Sequence, residues 1–170
     1  SREWDKWEID KLNYKWNVSA IDGMYTFYYP SFNCRNTEIA AILGLQQLNK
    51  LDYVSEKRNT NYNLFNNLIN NKYWKPKQYK NNKVSNLGYP IITNKRNTLI
   101  KKLIQNDIEC RPLISGSMGR QPFWIERYGL QEMMNASIAH TAGLYVPNNA
   151  HISFEEIEFI ANIVNQVTCG

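Results

Sequence analysis

Apolar residues recur at helical spacing in the first half of the chain. The stripe consists of Ile39, Ile42, Leu45, Leu48, Leu51 and Val54. Residues three apart are neighbours on the surface of an α-helix, so this recurrence is a helical spacing. Asn36 can cap the first turn, and Glu38 lies where the helix dipole favours a carboxylate. We predict a long helix that starts at Asn36 and continues, with a bend allowed, as far as Ile69.

A second apolar stripe marks the end of the chain. Its members are Ile157, Ile160, Ile163, Val164 and Val167. Ser153 and Glu156 precede it with the Ser-x-x-Glu spacing of a capping box, in which each side chain bonds the other residue's backbone N–H. The pattern therefore predicts a final helix that starts just after Ser153.

Short strand-like and helix-like segments alternate between residues 87 and 147. We predict strands in "LGYPIIT", "IECRPLI" and "GLYVP", a helix from Arg96 to Asn106, a loop over residues 115–129 and a helix over residues 130–141. Such alternation indicates an α/β layer, with about three strands covered by helices. Because proline cannot donate a ladder hydrogen bond, Pro90 and Pro112 should lie in edge or irregular strands.

Two segments of the chain show no sustained hydrophobic period. Residues 1–30 mix charged and aromatic side chains up to Pro30, which suggests a surface that packs on a part of the protein not in this chain. The segment "NNKYWKPKQYKNNK" is rich in Asn and Lys and reads as a polar connection.

Composition and charge limit the classes of partner. The chain has 170 residues, 43% of them hydrophobic, and a net charge of +5. Much of the positive excess lies in Lys72 to Lys83 and Lys95 to Lys102, where Asn and Tyr dilute it, so a solvated face is favoured over a nucleic-acid interface. No apolar run approaches the roughly 20 residues that span a bilayer. We expect no nucleic-acid partner and no membrane partner.

The cysteines indicate a reducing compartment. Cys34, Cys110 and Cys169 are odd in number and far apart, so neither a disulfide framework nor a CxxC metal site is supported. We therefore expect a cytoplasmic protein without a metal.

The common catalytic motifs are absent from the sequence. It has no Gly-rich phosphate loop, no HExxH and no GxSxG. His140 and His151 have no carboxylate or cysteine at ligand spacing, so His140 is interpreted as structural and His151 as part of a turn. No catalytic residue is assigned.

Two polar segments can bind a ligand. Asn33, Cys34 and Arg35 come directly before a helix N-terminus, where free N–H groups favour an anion such as phosphate. The alternative is that Asn33 and Arg35 cap the helix and pair with a carboxylate.

The second polar segment is the glycine-bearing loop in "IECRPLISGSMGRQPF". Its hydrogen-bonding residues are Arg111, Ser115, Ser117, Arg120 and Gln121. Hydroxyls, guanidinium groups and an amide suit a sugar or a phosphate, although a purely structural loop remains an alternative.

The segment Phe32 to Arg58, "FNCRNTEIAAILGLQQLNKLDYVSEKR", resembles a motif of one enzyme family. The motif is Asn-x-Arg-x-x-Glu-x-x-Ala-x-x-Gly-x-x-Gln-Leu-x-x-Leu-Asp, and the family is the DegT/DnrJ/EryC1/StrS family of pyridoxal-phosphate (PLP) sugar aminotransferases. "LGYPIIT", "IECRPLISGSMGRQP" and "GLYVPNNAHISFEEIEFI" follow in the order and spacing of its C-terminal part. "SREW" is similar to the Arg-x-Trp after the cofactor lysine, with Asp5 where glycine is common.

The resemblance implies a homodimeric fold-type I enzyme that uses PLP, a nucleotide-linked keto-sugar and an amino donor, usually glutamate. It implies that Asn33 reaches the PLP phosphate of the neighbouring subunit, with Arg35 nearby. It also implies that the loop from Arg111 to Gln121 faces the sugar nucleotide. Surface glycans and glycosylated metabolites are the usual destinations of such sugars.

The family also implies which parts are missing from this chain. The Schiff-base lysine is expected upstream of Ser1, and Lys6, Lys11 and Lys15 come after its place. We therefore expect residues 1–70 to be the tail of the large cofactor domain with the long connecting helix, and residues 71–170 to be the small C-terminal α/β domain. Such a fragment should be inactive alone.

Two alternatives to an aminotransferase fragment stay open. The loop in "RPLISGSMGRQP" is similar to the branch of the family that contains GDP-4-keto-6-deoxymannose 3-dehydratase, in which a histidine replaces the lysine. A free-standing, non-catalytic dimerisation or binding module is the second alternative.

Overall fold

The computed structural model describes residues 6–30, 37–77 and 81–169 of the chain. It divides into two compact units that each combine two stretches of sequence. Unit 1 consists of Ser1–Ser31 and Arg111–Gly143, and unit 2 consists of Phe32–Cys110 and Leu144–Gly170. The predicted assignment of residues 1–70 to the large cofactor domain and of residues 71–170 to the small domain stays a prediction.

Helices make up most of the described chain. In chain order the elements are α1 Lys6–Lys15, a 3-10 turn Asp22–Tyr25, α2 Glu38–Leu48, α3 Leu51–Leu68, β1 Gly88–Ile92, α4 Arg96–Ile104, β2 Arg111–Pro112, a 3-10 turn Met118–Arg120, α5 Pro122–Tyr128, α6 Met134–Ala142, β3 Gly143–Pro147 and α7 Phe154–Cys169.

The long helix predicted from Asn36 is two helices instead of one. Helix α2 ends at Leu48 and α3 begins at Leu51, so the allowed bend is a break at Asn49 and Lys50. The cap of α2 is Thr37, whose hydroxyl accepts the Ala40 N–H at 3.2 Å, while Asn36 lies outside the described residues. Thr37 can cap because its backbone is extended, at φ −128 and ψ 160.

The predicted three-stranded sheet is confirmed, with strand order β1-β3-β2. The strands with Pro90 and Pro112, β1 and β2, are the edge strands, where a missing proline N–H is tolerated, and the central strand β3 has its proline, Pro147, only at its last position. Strand β2 is much shorter than predicted. Beyond Pro112 the chain turns away, because Ser115 and Gly116 both have positive φ, at 61 and 52.

The loop predicted for residues 115–129 is partly wrong, because it contains α5. Pro122 occupies the first turn of this helix, where its fixed φ fits and its missing N–H costs nothing. Gly129, at φ 77, ends the helix. Helix α1 was not predicted either, since its apolar residues follow no helical stripe and none of its residues is buried.

The main apolar core lies in unit 2. Helix α7 packs against α3 and α4, and its apolar stripe is buried from Ile157 to Val164. Phe65 of α3 is fully buried and stacks on Tyr89 of β1, with ring centroids 5.1 Å apart. The ring of Tyr62 lies 5.3 Å from the same tyrosine. Burial of these large rings stabilises the core of unit 2.

Asparagine side chains tie the loops of unit 2 to its helices. Asn148 is fully buried, and its amide donates to the carbonyls of Arg58 and Asn86 at 3.2 and 2.9 Å. Asn165 of α7 donates to the Leu68 carbonyl at 2.9 Å and accepts the Asn70 N–H at 2.8 Å. These bonds satisfy backbone groups that would otherwise be left at the ends of helices and strands.

No helix in the described ranges combines the length and the hydropathy needed to cross a bilayer.

Candidate functional site

Unit 1 contains a cavity of about 360 Å³ between its amino-terminal segment and the loop after β2. The cavity is lined by Trp16, Asn17, Val18, Ser19, Asp22, Thr26, Arg120, Gln121, Pro122, Ile125, Leu130 and His140. A concave site with an apolar wall and a few convergent polar groups is the usual form of a small-molecule site.

Gln121 holds the two sides of this cavity together. Its Oε1 accepts the Phe27 N–H at 2.7 Å, and its Nε2 donates to the carbonyls of Tyr25 and Ser115 at 3.2 and 2.9 Å. The residue is 2% exposed. Because its amide already serves three backbone groups, Gln121 shapes the cavity wall through the backbone.

Arg120 is the cation of the cavity. It forms an ion pair with Glu132 through one terminal nitrogen, while its Nε is buried and lacks a hydrogen-bond partner among the described residues. A buried donor without an acceptor costs about 1–3 kcal/mol. A ligand oxygen could recover this free energy, so the geometry favours an anionic or strongly polar ligand.

The opposite wall carries a carboxylate. Asp22 accepts the hydroxyl of Ser19 at 2.6 Å, and its N–H donates back to the same hydroxyl at 3.2 Å. These two bonds join Ser19 to the first residue of the 3-10 turn Asp22–Tyr25. The cavity thus offers a guanidinium on one wall and a carboxylate on the other, a combination that can orient a polar ligand such as a sugar phosphate.

The structure brings together some of the predicted site residues. Arg120 and Gln121 line the cavity, and the backbones of Ser115 and Ser117 support it. Arg111 lies in β2 and is not among the described lining residues.

The other predicted site residues cannot be placed. Asn33 and Arg35, predicted at the cofactor phosphate, lie outside the described residues, as does Cys34.

Sequence reasoning missed the amino-terminal wall and His140. Trp16, Asn17 and Asp22 are about 100 positions from the loop that they face, and no local pattern reports such a distance. One signal was present, because Ser19 and Asp22 have the Ser-x-x-Asp spacing of a capping motif. It could have predicted the helical turn that begins there.

Unit 2 has a cavity of a different character, about 530 Å³ in volume. Its described lining includes Asp107, Glu109 and Glu156, with His151 and no lysine or arginine. Three carboxylates disfavour an anion by electrostatic repulsion. Within the described ranges, no group of three or more His, Cys, Asp or Glu side chains could hold a metal ion.

The described cavity of unit 1 does not by itself fit PLP. PLP-dependent aminotransferases hold the cofactor as an imine on a lysine, and no lysine is among the described lining residues. One guanidinium suits a ligand phosphate, but the amine that would hold the cofactor is missing from this wall.

The sequence model of the DegT/DnrJ/EryC1/StrS aminotransferase family matches residues 10–165. The chain belongs to this family. It is 25% identical over 167 residues to GDP-4-keto-6-deoxy-D-mannose 3-dehydratase of Yersinia pseudotuberculosis, a match that covers 94% of the chain and 42% of that enzyme. The family predicted from the Phe32 to Arg58 segment is thus confirmed.

Solved structures of the family show the same fold. One is the Escherichia coli GDP-4-keto-6-deoxy-D-mannose 3-dehydratase with bound hydrated PLP, with a TM-score of 0.65 and 24% identity over 86% of this chain and 40% of that one. Another is the Helicobacter pylori aminotransferase PseC, with a TM-score of 0.62 and 18% identity over 87% of this chain and 44% of that one. The predicted fold class, part of a fold-type I PLP transferase, is confirmed.

The chain spans about two fifths of the length of these relatives, since the matches cover 42% and 40% of the two dehydratases.

Proposed function

We propose that this chain is the C-terminal portion of a PLP-dependent aminotransferase that acts on nucleotide-linked keto-sugars. One observation carries the proposal. This chain, a member of the family, has a cavity lined by Arg120, whose buried Nε has no partner among the described residues. The diphosphate of a sugar nucleotide supplies the acceptors that such a group needs.

The residues of the loop after β2 have distinct roles in this proposal. Arg120 binds the diphosphate, and Ser115 and Ser117 present their turn to the sugar. Gln121 keeps that turn against the amino-terminal wall through its bond to the Ser115 carbonyl. Arg111, at the start of the loop, stays a predicted substrate residue, although it is not among the described lining residues of the cavity.

PLP enters the proposal from the family and from the dehydratase structure that contains it. When bound, PLP supplies the electron sink that lets an amino group pass from a donor, glutamate in the proposal, to a keto-sugar. Asn33 and Arg35 are proposed to hold its phosphate. Because the described cavity has no lysine, we expect the chain alone to have no transaminase activity.

Sugar-nucleotide 3-dehydration is the second candidate reaction. Two relatives favour it, because the Yersinia pseudotuberculosis enzyme and the Escherichia coli enzyme of known structure are both 3-dehydratases. A lysine or a histidine at the Schiff-base position would separate the two reactions. Incubation of an intact enzyme with glutamate and the keto-sugar nucleotide separates them, since one reaction gives an amino-sugar and the other a deoxy-keto-sugar.

We further propose a homodimer. Helix α2 supports it, because Ile39, Ile42, Leu45 and Leu48 are between 62 and 72% exposed, a concentration of apolar surface typical of interfaces. Free Cys110 and Cys169 support the proposed cytoplasmic location.

The substrate part of the proposal is tested by calorimetry with GDP-mannose as the probe. Arg120→Ala should weaken binding by about tenfold, since a hydrogen bond to a charged group contributes about 1.5–3 kcal/mol. Arg127→Ala is the matched control, because this exposed arginine stacks on Tyr128 and does not line the cavity. Equal affinities for the two variants and the unaltered chain would remove Arg120 from the site.

The cofactor part is tested by adding stoichiometric PLP to the purified chain. We expect the spectrum of free PLP and no single lysine fixed by borohydride, as located by peptide mapping. A lysine modified at full stoichiometry would show that the chain has a cofactor site of its own.

A further inference from the structure

His140 is bonded to the loop that carries the proposed substrate residues. Its Nδ1 accepts the Ser117 backbone N–H at 3.3 Å, across 23 positions of sequence. The ring also lies against Gly116, since a Cβ on that glycine would come within 2.4 Å of Nδ1. His140 lines the same cavity as Arg120.

The turn that His140 touches has a strained backbone. Ser115 and Gly116 have consecutive positive φ values, at 61 and 52. A non-glycine residue in this region costs about 1–2 kcal/mol, so the surrounding contacts must hold it there. Gln121 holds the Ser115 carbonyl at 2.9 Å on one side, and His140 holds the Ser117 N–H on the other.

Ser117 connects this anchor to the arginine. Its carbonyl accepts the Arg120 N–H at 3.1 Å, the bond that closes the 3-10 turn Met118–Arg120. Ser117 is 2% exposed, so its backbone has little room to move. The imidazole of His140 thus accepts the N–H of Ser117, and the carbonyl of Ser117 accepts the N–H of Arg120. These two hydrogen bonds link His140 to the residue that carries the guanidinium of the cavity.

We propose that His140 is a positioning residue for the sugar-nucleotide site, acting through Ser117 to fix the backbone that carries Arg120. This inference rests on the proposed function for its substrate. The bond requires Nδ1 to be an unprotonated acceptor, so a neutral His140 carries its proton on Nε2.

The test compares three chains. His140→Phe keeps a ring against Gly116 but removes the acceptor, whereas His140→Asn places an amide oxygen close to the position of Nδ1. Two quantities are measured: the hydrogen-exchange rate of the Ser117 amide by NMR and the affinity for GDP-mannose by calorimetry. His140→Phe should speed the exchange of the Ser117 amide about tenfold and weaken the affinity for GDP-mannose about tenfold. Each effect corresponds to one hydrogen bond of about 1.4 kcal/mol. The asparagine should restore most of both.

Rescue by asparagine separates positioning from packing, because the amide restores the acceptor and not the ring. If the phenylalanine chain matches the unaltered chain in both quantities, the proposal is overturned. It is also overturned if the exchange rate rises while the affinity stays the same, since the turn would then not position the substrate group.

The ¹⁵N resonances of His140 supply a readout that needs no variant. We expect Nδ1 at the shift of an unprotonated acceptor, and a protonated Nδ1 overturns the proposal even if the phenylalanine chain does not fold. If the unaltered chain does not bind GDP-mannose, the proposed function fails separately. The Ser117 exchange rate then decides the role of His140: a rate that rises with phenylalanine and is restored by asparagine supports its hold on the turn, and an unchanged rate overturns it.

Discussion

Helices α2 and α7 both lie in unit 2 and both carry apolar residues at helical spacing, yet only α7 buries them. Ile157, Ile160, Ile163 and Val164 of α7 are at most 5% exposed, because α3 and α4 pack against them. None of the described residues of α2 is buried, and Ile39 at its start is 72% exposed.

The difference shows what the spacing of apolar residues can and cannot predict. A three- or four-residue spacing predicts that a helix has an apolar face, but it does not identify the surface that covers the face. The buried stripe of α7 stabilises this chain, whereas the exposed apolar residues of α2 are available to a second surface.

The largest expected effect is on the free energy of unfolding. Ile157→Ala should cost about 2–5 kcal/mol, because it leaves a cavity in the core. Ile39→Ala is the matched change on α2 and, at protein concentrations where the chain is monomeric, should alter the value by no more than about 0.5 kcal/mol, as is usual at exposed positions. Urea unfolding followed by circular dichroism measures both. Equal losses would mean that α2 is packed as well as α7.

The next effect is a loss of stability at alkaline pH. Burial raises the pKa of the Tyr89 phenol above its ordinary 10.0, with Tyr62 adding to the rise, and burial raises the pKa of the Cys110 thiol above its ordinary 9.0. These groups ionise more readily in the unfolded chain. Their contribution to the free energy of unfolding is therefore complete below pH 9 and is lost as the pH rises further.

Urea unfolding between pH 7 and 11 measures this loss. Tyr89→Phe should flatten part of the decline, since the phenol no longer titrates. A stability that stays constant up to pH 11 would contradict the burial of these two groups.

A third effect concerns self-association through α2. Ile42→Glu with Leu45→Glu places two charges on the exposed stripe and should shift a dimer towards monomer by more than tenfold in dissociation constant, since unpaired charges are costly in an apolar interface. Asn162→Glu with Gln166→Glu adds the same charge at two exposed positions of α7, as a control. Sedimentation measures all three chains. An unaltered chain that is monomeric at every concentration would contradict the proposed homodimer.

The smallest expected effect compares the two helix caps. Ser153→Ala removes the hydroxyl that accepts the Glu156 N–H at 3.2 Å, and it should cost about 1 kcal/mol because α7 is part of the core. Thr37→Ala removes the corresponding bond of α2. It should cost less, since α2 can fray without exposing the core of unit 2. A larger loss for Thr37 would reverse the proposed roles of the two helices.

Much of the fold could be predicted from local signals. The capping box of Ser153 and Glu156 is present, with the Ser153 N–H donating to Glu156 at 2.8 Å. The prolines at 90 and 112 correctly indicated edge strands. The break between α2 and α3 was not predictable from the stripe, because the apolar spacing continues across Asn49 and Lys50.

The candidate site was less accessible to sequence reasoning. Arg120 could be selected because a guanidinium in a glycine-bearing loop suits a phosphate. Gln121 was selected as a ligand residue, but its amide bonds three backbone groups, two of them about 95 positions away. His140 was interpreted as structural, and only the fold shows that its ring contacts the loop at Ser117.

The central claim is that the cavity of unit 1 binds a sugar nucleotide. The most direct measurement is a map of backbone amide shifts of the purified chain on titration with GDP-mannose. The account predicts shifts at residues 115–121 and around Asp22, the two walls of that cavity. Shifts confined to residues 106–109 and 149–156, at the carboxylate-rich cavity of unit 2, or no shifts at saturating ligand, would contradict it.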